Sequence, residues 1–135
     1  MAENARTQPV ITASQLLLHT LNGAGEPLPV HDLMCRARRV ADRLRALGLE
    51  VGVSFRDPYN GNVWSEQLEE SLWRWLANGF IEEGPLADGR LRLSPQGPQT
   101  REDPRLWDAI HRGLLEDTQE QLAKVAREAA GDGSS

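Results

Sequence analysis

Apolar residues recur at spacings of three and four in four separate segments of the chain, as the buried face of a helix requires. The first segment opens with a capping-box pattern, Thr12 followed three residues later by Gln15. The second runs over residues 30–47. Both patterns predict helices, joined by the linker GAGEPLP, which is rich in Gly and Pro.

A third helical pattern starts after Ser65, a favourable N-cap, and stops at Gly79. Residues 80–83 and 90–93 then form two short runs separated by Gly, Pro and Asp, which predicts a two-stranded hairpin. Alternating apolar residues over positions 51–55 predict one more short, half-buried strand ahead of the third helix.

A final amphipathic helix is predicted up to about residue 130. Its length of about 25 residues exceeds what a small core needs to cover itself. Homodimerisation through this helix is therefore one expectation, and packing back onto the first helix is an equal alternative. The residues that would form the dimer interface are Trp107, Ile110, Leu114, Leu122 and Val125.

Helices followed by a hairpin are typical of a winged helix, in which a presentation helix precedes a β-hairpin called the wing. We therefore predict a mainly α fold with a small antiparallel sheet (α+β) and a long C-terminal helix. The expected organisation is a flexible arm over 1–10, a winged-helix domain over 11–97, a linker and C-terminal helix over 98–130, and a disordered tail over 131–135.

Charge is unevenly distributed along this weakly acidic chain, whose formal net charge is −5. Residues 1–60 hold seven Arg against six acids, whereas residues 61–135 hold eight basic side chains against fourteen acids. Any surface that attracts a polyanion must therefore be a local patch.

The first functional hypothesis is a DNA-binding transcriptional regulator, expected to be a homodimer that binds duplex DNA. Ser65 and Gln67 lie near the start of the presentation helix, where base contacts are made. Arg90 and Arg92 alternate with leucines and so project from the exposed face of the wing. Three arginines on the second helix would contact phosphates: Arg36, Arg39 and Arg43. The alternative is that they form an ordinary solvated helix face.

The second hypothesis is a protein-interaction module, such as an adaptor or antitoxin. The presentation helix carries carboxylates, which repel phosphates. Trp73 falls beside the apolar stripe of this helix, where it either seals the core or anchors a partner. The residues of this partner-binding surface would be Glu66, Glu69, Glu70 and Trp73.

Catalysis finds little support, because the three histidines are scattered and no nucleophile or phosphate-loop motif appears. His31 and Cys35 share one helical face, but a zinc site needs two further ligands that no motif supplies. We expect no enzymatic activity, no metal and no cofactor. A single cysteine and the lack of a long apolar run indicate a cytoplasmic protein with no membrane partner.

Two family resemblances follow from these motifs. The wing and its close, GFIEEGPLADGRLRLSPQG, resemble the pattern "GLI…yrLTpkG" of MarR- and PadR-like regulators. This resemblance implies a dimeric bacterial or archaeal repressor, with the third helix in the major groove and Arg90 and Arg92 on the wing. The segment YNGNVWSEQLEESLWRWLANGFIEE is similar to the pattern "YGPyS.eL...L..L...GLI" of the Panacea family, although the Gly-Pro ahead of Ser65 is missing. This second resemblance implies an antitoxin or adaptor.

Overall fold

Four helices and a three-stranded antiparallel sheet make up the described part of the chain, which comprises residues 10–57, 63–84, 89–94, 110–111 and 114–133 of a computed structural model. The mainly α architecture with a small sheet is the one expected from the sequence. No helix within these ranges is long and apolar enough to cross a membrane. In chain order the elements are α1 (Ala13–Ala24), β1 (Leu28–Pro29), α2 (Val30–Ala46), α3 (Glu66–Asn78), β2 (Ile81–Glu83), β3 (Arg90–Leu93) and α4 (Glu116–Gly133).

Helix α1 is the centre of the core, and its own sequence determines both of its ends. The Thr12 hydroxyl accepts from the Gln15 backbone N–H at 3.2 Å, and the Gln15 side chain accepts from the Thr12 N–H at 3.0 Å, so the predicted capping box is present. Gly25 ends the helix in the left-handed region with φ of 72°. Helices α2, α3 and α4 all pack against α1.

Strand β3 lies in the middle of the sheet, whose order is β1-β3-β2. Leu28 of β1 pairs with Leu91, and Ile81 of β2 pairs with Leu93. Leu28, Leu91 and Ile81 are buried in the core, so the sheet closes one end of the helical layer. The segment predicted to be a linker therefore supplies the short edge strand β1.

The strand predicted over residues 51–55 is absent from the sheet, which corrects that expectation. Val51 forms an isolated bridge with Ile11 instead. The Arg45 guanidinium binds the carbonyls of Val51, at 3.0 Å, and Val53, at 2.5 Å. A side chain thus bonds two carbonyls that a neighbouring strand would bond in a sheet. Val53 is nevertheless buried, as its alternating pattern predicted.

Helix α4 starts later than predicted and packs back onto the same chain. Leu114 and Leu115 precede its first residue and are not helical, and the helix continues to Gly133, inside the predicted tail. Its apolar face packs against α1 and α2. A Cβ added at Gly23 of α1 would lie 3.0 Å from the carbonyl carbon of Ala126, so the two backbones approach closely there.

A buried polar contact joins α1 to the residues that precede α4. The Gln15 side chain donates to the Ile110 carbonyl at 2.8 Å, and Nε2 of His19 lies 2.7 Å from Nε2 of His111. One imidazole must donate and the other accept, so at least one of them is neutral. Burial, with a smaller contribution from His111 and then Arg127, lowers the pKa of His19 to about 3.

We expect Gly23→Ala to destabilise the protein by about 1–2 kcal/mol, although alanine is the better helix former. The added methyl group would press on the rigid α4 backbone. Gly131→Ala is the matched control, because a Cβ there meets no atom within 4 Å and should leave stability unchanged or slightly raised. Urea unfolding measures both. A stabilised Gly23→Ala variant would mean that α4 is free to move away from α1.

The histidine contact predicts a specific loss of stability in acid. His19 has a folded-state pKa of about 3, well below the ordinary value of about 6.5 in an unfolded chain. The unfolded state therefore binds more protons between these values, and stability falls as pH drops below about 6.5, by up to about 1.4 kcal/mol per unit for this group. In urea unfolding between neutral pH and pH 4, His19→Gln should show a flatter dependence than the wild type. His31→Gln, which removes an exposed imidazole outside this contact, is the control variant. A slope in His19→Gln equal to that of the wild type would contradict this account.

Candidate interaction surface on the third helix

The start of α3 is fixed by Ser65, whose hydroxyl accepts from the Leu68 backbone N–H at 3.3 Å. Ser65 is buried, so it is not available to contact a DNA base. Its role in base recognition stays a prediction, and this burial does not favour it. Serine is common both in contacts to bases and at helix N-caps. Here the N-cap bond determines where the Ser65 side chain lies.

Gln67, the second residue predicted to contact bases, is bonded within the chain although it is exposed. Its side-chain oxygen accepts from the Ser54 backbone N–H at 3.3 Å and from the Ser65 hydroxyl at 3.1 Å. Its amide nitrogen donates to the Ser54 hydroxyl at 3.2 Å. Contacting a base would require Gln67 to give up the bonds that join α3 to the segment before it.

The outer face of α3 combines negative charge with an exposed indole. Three carboxylates lie on this helix with a single guanidinium, that of Arg74. Glu66 pairs with Arg56 at 3.2 Å, and Glu70 pairs with Arg74 at 3.5 Å, all of them well exposed. Exposed ion pairs contribute little to stability, so these carboxylates remain accessible to a partner's cations.

Trp73 is 63% exposed and is the largest apolar side chain left exposed among the described residues. On a helix of 3.6 residues per turn it lies opposite Leu68 and Trp75, both of which face the core. The sequence left two roles open for Trp73, sealing the core or anchoring a partner. This position does not fit a residue that seals the core. The exposed position fits an anchor.

A shallow groove runs beside this outer face, between the start of α1 and α3. Its volume is about 300 Å³, and its lining includes Val10, Ser14, Glu70 and Arg74. Val10 is itself 43% exposed. The groove adds a small apolar element next to the charged face of α3.

The sequence did not indicate how Glu69 joins two tryptophans. Its Oε1 accepts from the indole N–H of Trp64 at 3.0 Å, and its Oε2 accepts from the indole N–H of Trp73 at 3.4 Å. The spacing of four residues between Glu69 and Trp73 is a recognisable helical pair. No comparable spacing rule relates Glu69 to Trp64, which lies ahead of the helix.

Several arginines of the predicted phosphate-contacting set are engaged inside the chain. Arg39 donates to the Ala129 carbonyl at 3.2 Å and so holds α4 against α2. Arg92 pairs with Glu82, its register partner on the neighbouring strand, at 2.7 Å. A phosphate would have to compete with these contacts. The other three arginines of the predicted set are Arg36, Arg43 and Arg90, and phosphate contact by them stays a prediction.

Three residues of the predicted dimer interface lie in the core of a single chain. Leu114, Leu122 and Val125 are all buried. Dimerisation through them would require α4 to leave α1 and α2. Ile110 is half-buried, with its carbonyl bonded to α1, and Trp107 lies outside the described residues.

Cys35 shows no sign of activation. Burial, followed by the nearby Asp32 carboxylate, raises the pKa of its thiol, so the thiol stays protonated at neutral pH. Within the described ranges, no three His, Cys, Asp or Glu side chains are grouped so that they could hold a metal ion.

Comparison of the chain with protein-family models, curated proteins and solved structures gave no match.

The exposure of Trp73 predicts that it contributes little to folding. We expect Trp73→Ala to change the free energy of unfolding by less than about 1 kcal/mol, whereas Trp75→Ala, at 4% exposed on the same helix, should cost about 3–5 kcal/mol. Urea unfolding of the two variants measures the difference. A comparable loss in both would show that Trp73 belongs to the core.

Proposed function

We propose that this chain is a winged-helix protein-interaction module that docks onto a basic protein surface through the outer face of α3. The single observation that carries the proposal is the 63% exposure of Trp73 on a helix that also presents three carboxylates. Aromatic anchors surrounded by polar groups are typical of protein interfaces. Single exposed apolar side chains are common on protein surfaces, so it is the combination of a large aromatic ring with three carboxylates that distinguishes this face.

The order of elements supports the winged-helix part of this proposal. Helix α1 is followed by β1, then by α2 and α3, and then by the hairpin β2–β3. Strand β1 pairs with β3 and not with β2, so the hairpin is tied to the helical core on one side. In this arrangement α3 is the presentation helix and the hairpin is the wing.

Electrostatics favours a protein partner over DNA. A duplex would bring phosphates towards Glu66 and Glu70, and these carboxylates would repel them. The two residues expected to contact bases, Ser65 and Gln67, already hold the start of the helix in place. A basic protein surface meets no such repulsion.

The charges also define the partner's chemistry. Three carboxylates of α3 against two guanidinium groups, those of Arg56 and Arg74, leave this face net negative and favour Lys or Arg side chains on the opposing surface. The Trp73 ring calls for an apolar depression between those cations, because a buried aromatic ring supplies most of the binding energy of such a contact. The expected partner is therefore a protein or peptide that combines basic and apolar residues.

A peptide-display selection tests the proposal. A random peptide library is selected on the wild-type chain and counter-selected on Trp73→Ala. We expect enriched peptides to combine Arg or Lys with large apolar residues, and to bind Trp73→Ala at least about 30-fold more weakly, as expected for a hot spot. Leu115→Ala is the matched control, since Leu115 is equally exposed but lies outside α3, and it should bind like the wild type. Failure to enrich such peptides, or equal loss with Leu115→Ala, would contradict the proposal.

A DNA-binding assay tests the competing hypothesis, that the chain is a DNA-binding regulator. Labelled random-sequence duplex is titrated at low and at moderate salt, and we expect no binding at either. Affinity that appears at low salt, falls as salt rises and is lost when Arg36 and Arg90 are replaced together by Ala would favour a DNA-binding regulator instead.

A further inference from the structure

The carboxylate of Glu69 connects an exposed indole to one that is held in the fold. Trp64 is half-buried, packs against the core and exchanges two backbone hydrogen bonds with Arg56, each 2.9 Å long. Its indole N–H donates to Glu69 at 3.0 Å, which fixes one oxygen of that carboxylate. The other oxygen accepts from the indole N–H of Trp73 at 3.4 Å. The fold restrains Trp64, and through the Glu69 carboxylate it also restrains the exposed ring of Trp73.

The indole N–H of Trp73 is therefore already hydrogen-bonded in the free protein. An indole has one N–H donor and no acceptor. When a tryptophan enters an interface, that donor normally needs an acceptor from the partner, since a buried unpaired donor is costly. Glu69 supplies the acceptor from within the same helix.

We infer, on the basis of the proposed function, that the partner receives Trp73 in an apolar pocket that offers its indole no hydrogen-bond acceptor. Glu69 acts as a positioning residue that satisfies the N–H and limits the orientations of the ring. A restrained ring loses less conformational freedom on binding than a free one. The partner's cations then lie around this pocket, opposite Glu66 and Glu70.

The free protein tests the positioning role of Glu69. The indole N–H signals in an NMR spectrum are assigned with single Trp→Phe variants, and their exchange with solvent is measured. In Glu69→Gln an NH2 group that cannot accept replaces one of the two oxygens, so only one indole keeps its acceptor in place. We expect Trp73, which has the longer bond, to exchange several-fold faster. Glu70→Gln is the matched control on the same face and should leave both signals unchanged. Unaltered exchange of Trp64 and Trp73 in Glu69→Gln would overturn the positioning role.

Peptides obtained by the selection on the wild-type chain test the pocket. Trp73 is replaced by benzothienylalanine, which keeps the size and shape of the ring but has sulfur in place of the N–H. We expect affinity within about threefold of the wild type, because the partner makes no use of the N–H. Glu69→Gln should weaken binding by about threefold or more, since the ring is less restrained.

A loss of about tenfold or more with benzothienylalanine would overturn the inference, because it would mean that the partner supplies an acceptor. The two proposals fail in different ways. A selection that yields no peptide would contradict the proposed function and the pocket with it, and the exchange rates of the free protein would still decide whether Glu69 holds Trp73.

Discussion

The structure depends on the burial of α1 on all of its sides. Leu16, Leu17 and Leu18 are consecutive and fully buried, and the polar Gln15 and His19 beside them are almost fully buried as well. Consecutive residues point in different directions around a helix, so no single neighbour can cover them. Helices α2, α3 and α4 therefore surround α1, and the sheet contacts it through β3. This requirement places the inner face of α3 against the core and leaves its outer face, with Trp73, in water.

The same constraint determines what the C-terminal helix and the arginines do. Helix α4 is needed to cover α1 and α2, so its apolar residues are used inside the chain and a long free helix is not left over for a dimer. Arg39 contributes to this packing through the Ala129 carbonyl, and Arg45 holds the segment after α2 through two carbonyls. An arginine-rich helix face is therefore partly structural here, which weakens the case for a phosphate-binding surface.

Local patterns predicted the elements that are determined locally. The capping box at Thr12, the N-cap at Ser65, the glycine after α3 and the hairpin strands are all where the sequence indicated. Strand β1 could not be predicted, because its two residues pair with β3, more than 60 positions away, and carry no alternating pattern of their own. The contact between His19 and His111 spans 92 positions and has no local signal either.

The candidate site also combines features that the local sequence indicated with features that depend on tertiary packing. The acidic face of α3 was evident from the sequence, and helical geometry already placed Trp73 away from Leu68 and Trp75. What the sequence could not decide was whether another element covers that face, since this depends on the tertiary packing of α1 and α4. The bond between Glu69 and Trp64 was equally hidden, because it depends on how the segment ahead of α3 folds back.

An NMR titration of the isotope-labelled chain with one peptide selected on the wild type tests the central claim most directly. If the outer face of α3 is the docking surface, the chemical-shift changes should be concentrated at Glu66, Glu70 and Trp73, and residues of α2 and α4 should be unaffected. Changes centred instead on the arginines of α2 and β3, with α3 unaffected, would contradict the account.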